Sequence, residues 1–466
     1  MKHLRVGRLA HCPRERGARW EVLKDVVVSV DRATGIIKAL TSAEAFTAHK
    51  EGDELVDLDS VQPPSSSSSR FLIPGFVDTH IHAPQYSYVG TGLDKPLLKW
   101  LDHYTFPAEE RFRDAEVARR NYNAVVSRSL REGTTTAMYF ATIHSEASHV
   151  LADTMRELGQ RGFVGPVSMD INPGVPEYGQ RTDAALEDAE RFVEATLKAD
   201  DDLVLPVLTP RYLPTCSIEL LNGLGDIAKR YAVHIQSHIA ESLDVMEHVE
   251  ATYPGRRDLE IFKEAGLLTP KTMLAHGVHL NDEELDTMQA QGSGIAHCPL
   301  SNFYFANGNL DVRKVLRSGV GVGLGSDVAG GYSISMLSAM RAAIVASRAV
   351  LNAKGVQPDI KENVPVSAET AFWMATQGAA EALQLGDEIG SLEVGKKFDA
   401  LLIELEGAGN IDRFSDVGRE ATDEENLERL VNLGDGRNIL QVWVGGVCRK
   451  QNEAITTTEM HRYEVL

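Results

Sequence analysis

An α/β fold is what this 466-residue sequence predicts: a closed (β/α)8 barrel, TIM-like, with a small β domain made from both chain ends. Three observations carry the prediction. Eight short apolar runs lie between residues 71 and 327, most of them separated by helix-period segments. Alternating strand texture is confined to the first 60 residues and to the stretch after about residue 386. Several of the apolar runs also end in histidine or aspartate. Buried strands alternating with helices imply a parallel sheet, and a count of eight favours a barrel. The runner-up is an open doubly wound sheet, which usually carries a Gly-rich loop after its first strand.

The elements follow in order. In residues 1–70, "DVVVSVD" and "RATGIIKAL" read as a hairpin turned at a glycine. "VQPPSSSSSR" then breaks the pattern, and Ser65–Ser69 read as a linker. The barrel is expected over residues 71–385. Its strands are FLIPGFVDTH, TTTAMYF, FVGPVSMDI, LVLPVLTP, AVHIQSH, TMLAH, GSGIAH and GVGLGSD. Between the first two, AEVARRNYNAVVSRSLREG places Val117, Tyr122, Val125, Val126 and Leu130 near one helix face, with Gly133 as a stop. Residues 386–466 return to strand texture in "EIGSLEVGKKFDALLIEL" and "ILQVWVGGVCRKQ". The two ends are expected to assemble together, since domain termini often lie close in space.

Composition narrows the function. The net charge of −20 suits neither nucleic acid nor an anionic membrane, and leaves a small-molecule substrate open. The cysteines Cys12, Cys216, Cys298 and Cys448 are dispersed and form no CxxC pair, so neither a cysteine zinc site nor a disulfide framework is expected. There is no signal-like apolar core near the N-terminus and no run of transmembrane length. A cytoplasmic protein is the expectation.

The chemistry sits at strand ends. His80 and His82, at i and i+2 of a strand, share a face, and the C-terminal end of a barrel strand faces the mouth. Alone, such a pair is more readily two hydrogen-bonded core histidines. But AVHIQSH ends in His238, TMLAH in His276 and GVGLGSD in Asp327. Four strands ending in metal-type groups point to one ion, and nitrogen and carboxylate donors suit zinc, with iron or another divalent ion as alternatives. Glu241, three residues past His238, is spaced for acid/base work rather than ligation; the bland reading is a surface glutamate opening the next helix. Together these groups support metal-assisted hydrolysis.

The ordered set PGFVDTHIH, HIAE, AHGVHL and GLGSDVAGG resembles the amidohydrolase superfamily in its single-metal deaminase branch. GFVDTHIHAPQY, LTPRY, HIQSHIAES, AHCPLSN and SDVAGGYSISML are similar to its guanine deaminase family over nearly the whole chain. The resemblance implies a β-sandwich built from both termini beside the barrel, and a homodimer. It implies one Zn2+ held by His80, His82, His238 and Asp327, with Glu241, His276 and Asp327 catalytic. VLPVLTPRY offers no lysine to bridge a second metal. The implied reaction is guanine plus water to xanthine and ammonia. The implied purine contacts are His82, Gln85, Arg211, Tyr212, His238, Glu241 and Asp327. Arg211 suits O6 because its donors form a fixed fork, while Gln85 both donates and accepts and so fits the N3/N9 edge. A rim arginine paired with a carboxylate is the plainer reading of Arg211. Tyr212 replaces the Phe common in the family, and Tyr304 and Phe305 are expected to cover the pocket. His144, His234, His279 and His297 read as satisfied core or supporting histidines. The alternatives are a deaminase of another aminated heterocycle, such as a nucleoside or s-triazine, and an inactive scaffold of the same fold.

Overall fold

The computed structural model describes residues 1–46, 52–61, 70–199, 201–359, 361, 363–406, 409–412 and 421–451. Ser65–Ser69, expected as a linker, lie outside the described residues. The strands, in chain order, are β1 (Lys2–His11), β2 (Glu21–Val30), β3 (Ile37–Ser42), β4 (Glu54–Asp57), β5 (Arg70–Pro74), β6 (Phe76–His82), β7 (Thr134–Phe140), β8 (Arg161–Gly165) and β9 (Val167–Ser168). They continue with β10 (Val204–Pro210), β11 (His234–Ile239), β12 (Thr272–His276), β13 (Gly294–His297), β14 (Gly321–Leu324), β15 (Ala400–Glu404), β16 (Ile439–Val444) and β17 (Val447–Gln451).

The barrel sheet runs β6-β7-β8-β10-β11-β12-β13-β14, all parallel, with β9 beside β10. A helix follows each strand, for example Ala115–Arg131 after β6 and Met336–Ala353 after β14. The first of these begins where Asp114 accepts from the amide of Glu116, and it buries Tyr122, Val125, Val126 and Leu130 as the sequence spacing predicts. Every residue of β6 and β7 is buried. A Val or Phe so placed contributes roughly 1.5–3 kcal/mol. The sheet closes between its first and last strands: the amide of Asp327 donates to the carbonyl of His80 at 2.9 Å, and that of His82 to Val328 at 3.0 Å.

Both chain ends build one further sheet, β17-β16-β15-β5-β1-β2-β3, with β4 also on β1. It encloses its own core of Leu4, Val6, Val28, Leu72, Phe398 and Trp443, as a terminal β-sandwich requires. The expected hairpin is present, with Val30 opposite Ile37. Its turn glycine, Gly35, lies so near the Gly445 carbonyl that a Cβ would sit 2.1 Å from the oxygen. The two termini therefore touch through glycine on both sides.

Two expected strands are divided. FLIPGFVDTH is β5 and β6: Arg70–Pro74 pairs with β1 and β15 in the terminal sheet, and the barrel begins at Phe76. The switch falls at Gly75, where a Cβ would lie 2.1 Å from Thr135 Oγ1. FVGPVSMDI is cut into β8 and β9 at Pro166, which has no N–H for the ladder. In the last segment, EIGSLEVGKKF is mostly turn and coil, and a helix at Asp423–Leu433 precedes β16. Among the described residues, no helix is long and apolar enough to cross a membrane.

Candidate active site

The mouth of the barrel gathers the strand-end groups expected from the sequence. His80 and His82 stand at the end of β6, with ring centroids 4.9 Å apart. His238 of β11 lies 4.8 Å from the first and 5.1 Å from the second. Asp327, just past β14, brings Oδ1 to 3.1 Å from His80 Nε2 and 3.4 Å from His82 Nε2. His276, at the end of β12, has Nε2 3.7 Å from Asp327 Oδ2 and 3.3 Å from Glu241 Oε1.

Local backbone sets these directions. His276 and Asp327 both have positive φ, 73° and 46°. For side chains with a Cβ that conformation costs on the order of 1–3 kcal/mol each, and such residues concentrate at functional sites. The seam hydrogen bond from the Asp327 amide holds one of them. Gly330 leaves the room its carboxylate needs: a Cβ there would lie 3.1 Å from Asp327 Oδ2 and 2.6 Å from Ser301 Oγ. Beneath the pair, the buried carboxylate of Asp78 accepts from the amides of His80 and Ser326, and burial raises its pKa to about 7.

Electrostatics at the mouth favour a cation. Burial holds the pKa values of His80, His82 and His238 well below the usual histidine value, so all three imidazoles are neutral donors. His238 Nδ1 lies 2.6 Å from the carbonyl of Arg211 and so must carry the proton there. Its Nε2 lone pair then faces His82 Nε2 at 3.1 Å. Among the described residues, the buried Nε2 atoms of His80 and His276 have no hydrogen-bond partner. Lone pairs converging on a carboxylate oxygen leave a place for a positive ion, and the donor set fits a metal of the zinc type. Among the described residues two groups could hold one: His80, His82 and His238, and His80, His276, Cys298 and Asp327. The second brings in a thiol that the cysteine spacing did not signal. Cys298 Sγ donates to the Ala296 carbonyl at 3.4 Å, and burial followed by Asp327 raises its pKa well above the ordinary thiol value, so it stays protonated.

A narrow cavity opens above this cluster. His82, Gln85, Arg211, Tyr212, His238, Glu241 and Asp327 all line it. Trp100, Leu97, Leu101 and Phe305 form its apolar roof, with the Trp100 and Phe305 rings 4.9 Å apart. Phe305 thus covers the pocket, whereas Tyr304 is exposed and packs toward Tyr332. Glu241 is buried; burial first, then Asp327 and Asp244, raise its pKa well above that of an ordinary carboxyl.

Arg211 is both things the sequence allowed. It reaches the cavity and is also paired, donating to both oxygens of Glu109 at 2.7 and 3.1 Å. Burial alone would lower its pKa, but Glu109 holds it above the ordinary value. Sequence reasoning passed over Glu109, which lies beside Glu110 in a run that reads as solvated. The requirement that a buried arginine have a carboxylate partner was the available signal. Trp100 was missed as well. The remaining histidines lie elsewhere. His234 Nε2 is 3.0 Å from the Leu383 carbonyl, His279 Nε2 is 2.7 Å from that of Ala306, and His144 Nε2 is 3.3 Å from Glu110. Contrary to the expectation of a satisfied histidine, His297 is buried with neither ring nitrogen hydrogen-bonded among the described residues, and burial lowers its pKa to about 3.

A barrel with histidine and aspartate donors converging at its mouth defines the class of metal-dependent hydrolases to which this chain is assigned by comparison. A model of the amidohydrolase family matches residues 71–448, and the chain belongs to that family. It is 44% identical to the guanine deaminase of Mus musculus over 382 residues, 82% of this chain and 83% of that one. It is 38% identical to the guanine deaminase of Dictyostelium discoideum over 433 residues, 91% and 94% of the two chains. Among solved structures, guanine deaminase from C. acetobutylicum with bound guanine superposes with a TM-score of 0.83 at 32% identity, covering 96% of this chain and 99% of that one.

Proposed function

We propose that this chain hydrolyses guanine to xanthine and ammonia, with one zinc ion held by His80, His82, His238 and Asp327. The observation that carries the reading is the meeting of those four side chains with Glu241 and His276 beneath a cavity that Gln85 and Arg211 line. The same chemistry is the named activity of the relatives above. Zinc, when bound, supplies the Lewis acidity that makes hydroxide available near neutral pH.

The chain's own groups do the rest. Arg211 donates to O6 of the base. Gln85 uses one amide N–H on Glu109 and one carbonyl lone pair on the Ala329 amide, which leaves a donor and an acceptor for the N3/N9 edge. Tyr212 packs its ring on the purine. Glu241, protonated in its buried setting, gives a proton to ring N3 as water adds at C2, so that no buried anion develops. Asp327 accepts the proton that the water sheds. His276 steadies the water through Nε2, its Nδ1 being tied to Asn302 Oδ1 at 2.9 Å. Asp327 passes its proton to the exocyclic amine, which leaves as ammonia, while the Glu241 carboxylate takes the hydroxyl proton from C2; the C2 carbonyl remains and both carboxyls are back in their starting states. The roof of Trp100 and Phe305 excludes bulk water.

A xanthine assay on metal-quantified protein tests this reading. The expected result is xanthine from guanine at near one zinc per chain. Ammonia from adenine or a triazine with none from guanine would overturn the substrate assignment. Two finer points belong to the same proposal. The protein works in the cytoplasm, consistent with four free cysteines. It acts as a homodimer, for which exposed Phe303, Tyr304, Tyr332 and Val345 offer an apolar patch; light scattering reads the mass directly.

A further inference from the structure

A residue that does not line the pocket holds two that do. Glu109 is fully buried and its carboxylate accepts four hydrogen bonds. Oε1 takes Gln85 Nε2 at 3.0 Å and Arg211 Nη2 at 3.1 Å; Oε2 takes Arg211 Nη1 at 2.7 Å and Tyr178 Oη at 2.6 Å. A carboxylate offers about four acceptor sites, and here each has its donor. The two-point pairing fixes the plane of the guanidinium, and the Phe106 ring, one turn earlier on the same short helix, supports it at 5.0 Å. Because Glu109 only accepts, Gln85 must turn its NH2 toward it. That leaves the Gln85 carbonyl for the Ala329 amide at 3.2 Å, two residues past Asp327.

We infer that Glu109 is the positioning residue for substrate selectivity: one carboxylate holds Arg211, the donor for O6, and Gln85, which meets the N3/N9 edge, in one fixed relation around a neutral purine. The inference rests on the guanine reading and deepens it. Two consequences follow from the geometry. The guanidinium cannot swing to the metal-ligand cluster or to an anionic ligand, since leaving Glu109 would strand a buried charge. The charge of Arg211 is also cancelled locally, so the pair offers directed donors without net attraction for anions. Glu109 acts through Arg211 and Gln85 rather than by touching substrate.

The test compares guanine with 2-aminopurine, which keeps the C2 amine and N3 but has no O6. In Glu109→Gln, one acceptor oxygen becomes an NH2 facing another donor, and that fixed relation is released. The expected result is a fall in kcat/KM for guanine of about tenfold or more, carried mainly by KM, the range for losing hydrogen bonds to a charged group. For 2-aminopurine, which gives Arg211 no O6 but keeps the N3/N9 edge that Gln85 meets, the fall is smaller, about threefold, the range for one neutral hydrogen bond. Zinc content is unchanged. Equal losses on both substrates would mean a merely structural role and overturn the inference, as would unaltered guanine kinetics. Tyr178→Phe removes one of the four donors and leaves the ion pair; it should shift the guanine to 2-aminopurine ratio in the same direction by less. If Glu109→Gln fails to fold, an unchanged ratio in Tyr178→Phe overturns the proposal by itself. Failure of the guanine activity would show in the wild-type arm, failure of this inference only in the variants.

Discussion

Strand β11 carries one histidine at its start and another near its end, and the two have opposite fates. His234, at the floor of the barrel, meets the Leu383 carbonyl at 3.0 Å and the ring of Phe163 at 4.5 Å. His238, four residues on at the mouth, meets a carbonyl through Nδ1 and another imidazole through Nε2. Both are enclosed, and burial lowers the pKa of both. A lowered pKa therefore does not separate the floor histidine from the mouth histidine. What separates them is the facing group: a backbone acceptor at the floor, and a second lone pair at the mouth. Only the second arrangement calls for a cation.

Substitutions at the two ends should separate in kind. His238→Ala is expected to lose zinc and activity together, down to background, as read by elemental analysis alongside the xanthine assay. An active, metal-loaded His238→Ala would erase the distinction. Glu241→Gln should keep the metal and lose about 10²–10⁴-fold in kcat, the range for a positioned acid/base group. Full activity there would return Glu241 to the status of a helix-opening glutamate. Arg211→Lys should leave zinc bound and cost guanine turnover about tenfold or more, since an ammonium cannot reproduce the fork on Glu109. Unaltered discrimination against adenine would remove Arg211 from specificity.

The floor histidine gives the smallest effect, and it appears in stability rather than turnover. The pKa of His234 is lowered from 6.5 to about 4, chiefly by burial. A histidine kept neutral in the fold contributes stability that is fully present above pH 6.5 and is lost as pH falls toward 4. The full span is roughly 3 kcal/mol. Denaturation midpoints of His234→Gln, measured against pH, should therefore fall less steeply over that window than those of the wild type. Equal slopes would mean that His234 is not the group responsible.

The mouth was legible in the sequence for a physical reason. Parallel barrel strands are buried on both faces, so a histidine or aspartate at the end of an apolar run is conspicuous, as at His80, His238, His276 and Asp327. The division of FLIPGFVDTH between two sheets was not legible, because β5 is buried throughout just as β6 is, and the crowding of Gly75 against Thr135 that marks the change is a contact in space. Pro166, by contrast, announced a break that the reading of FVGPVSMDI ran through. Glu109 stayed hidden because a buried carboxylate and a solvated one look alike when their partners lie 24, 69 and 102 positions away; the need of a buried Arg211 for a carboxylate was the available pointer. Cys298 stayed hidden likewise, since its neighbours His80, His276 and Asp327 come from three other strand ends.

The clasp between His80 and Asp327 has a consequence for how the protein matures. Its two halves emerge from the ribosome at opposite ends of barrel synthesis, so a growing chain has imidazoles early and no finished cage until the last strand is made. On the proposed zinc reading, metal taken up by the purified protein would count completed barrels, and a truncated or stalled product should be recognisable by its empty metal assay before any substrate is added.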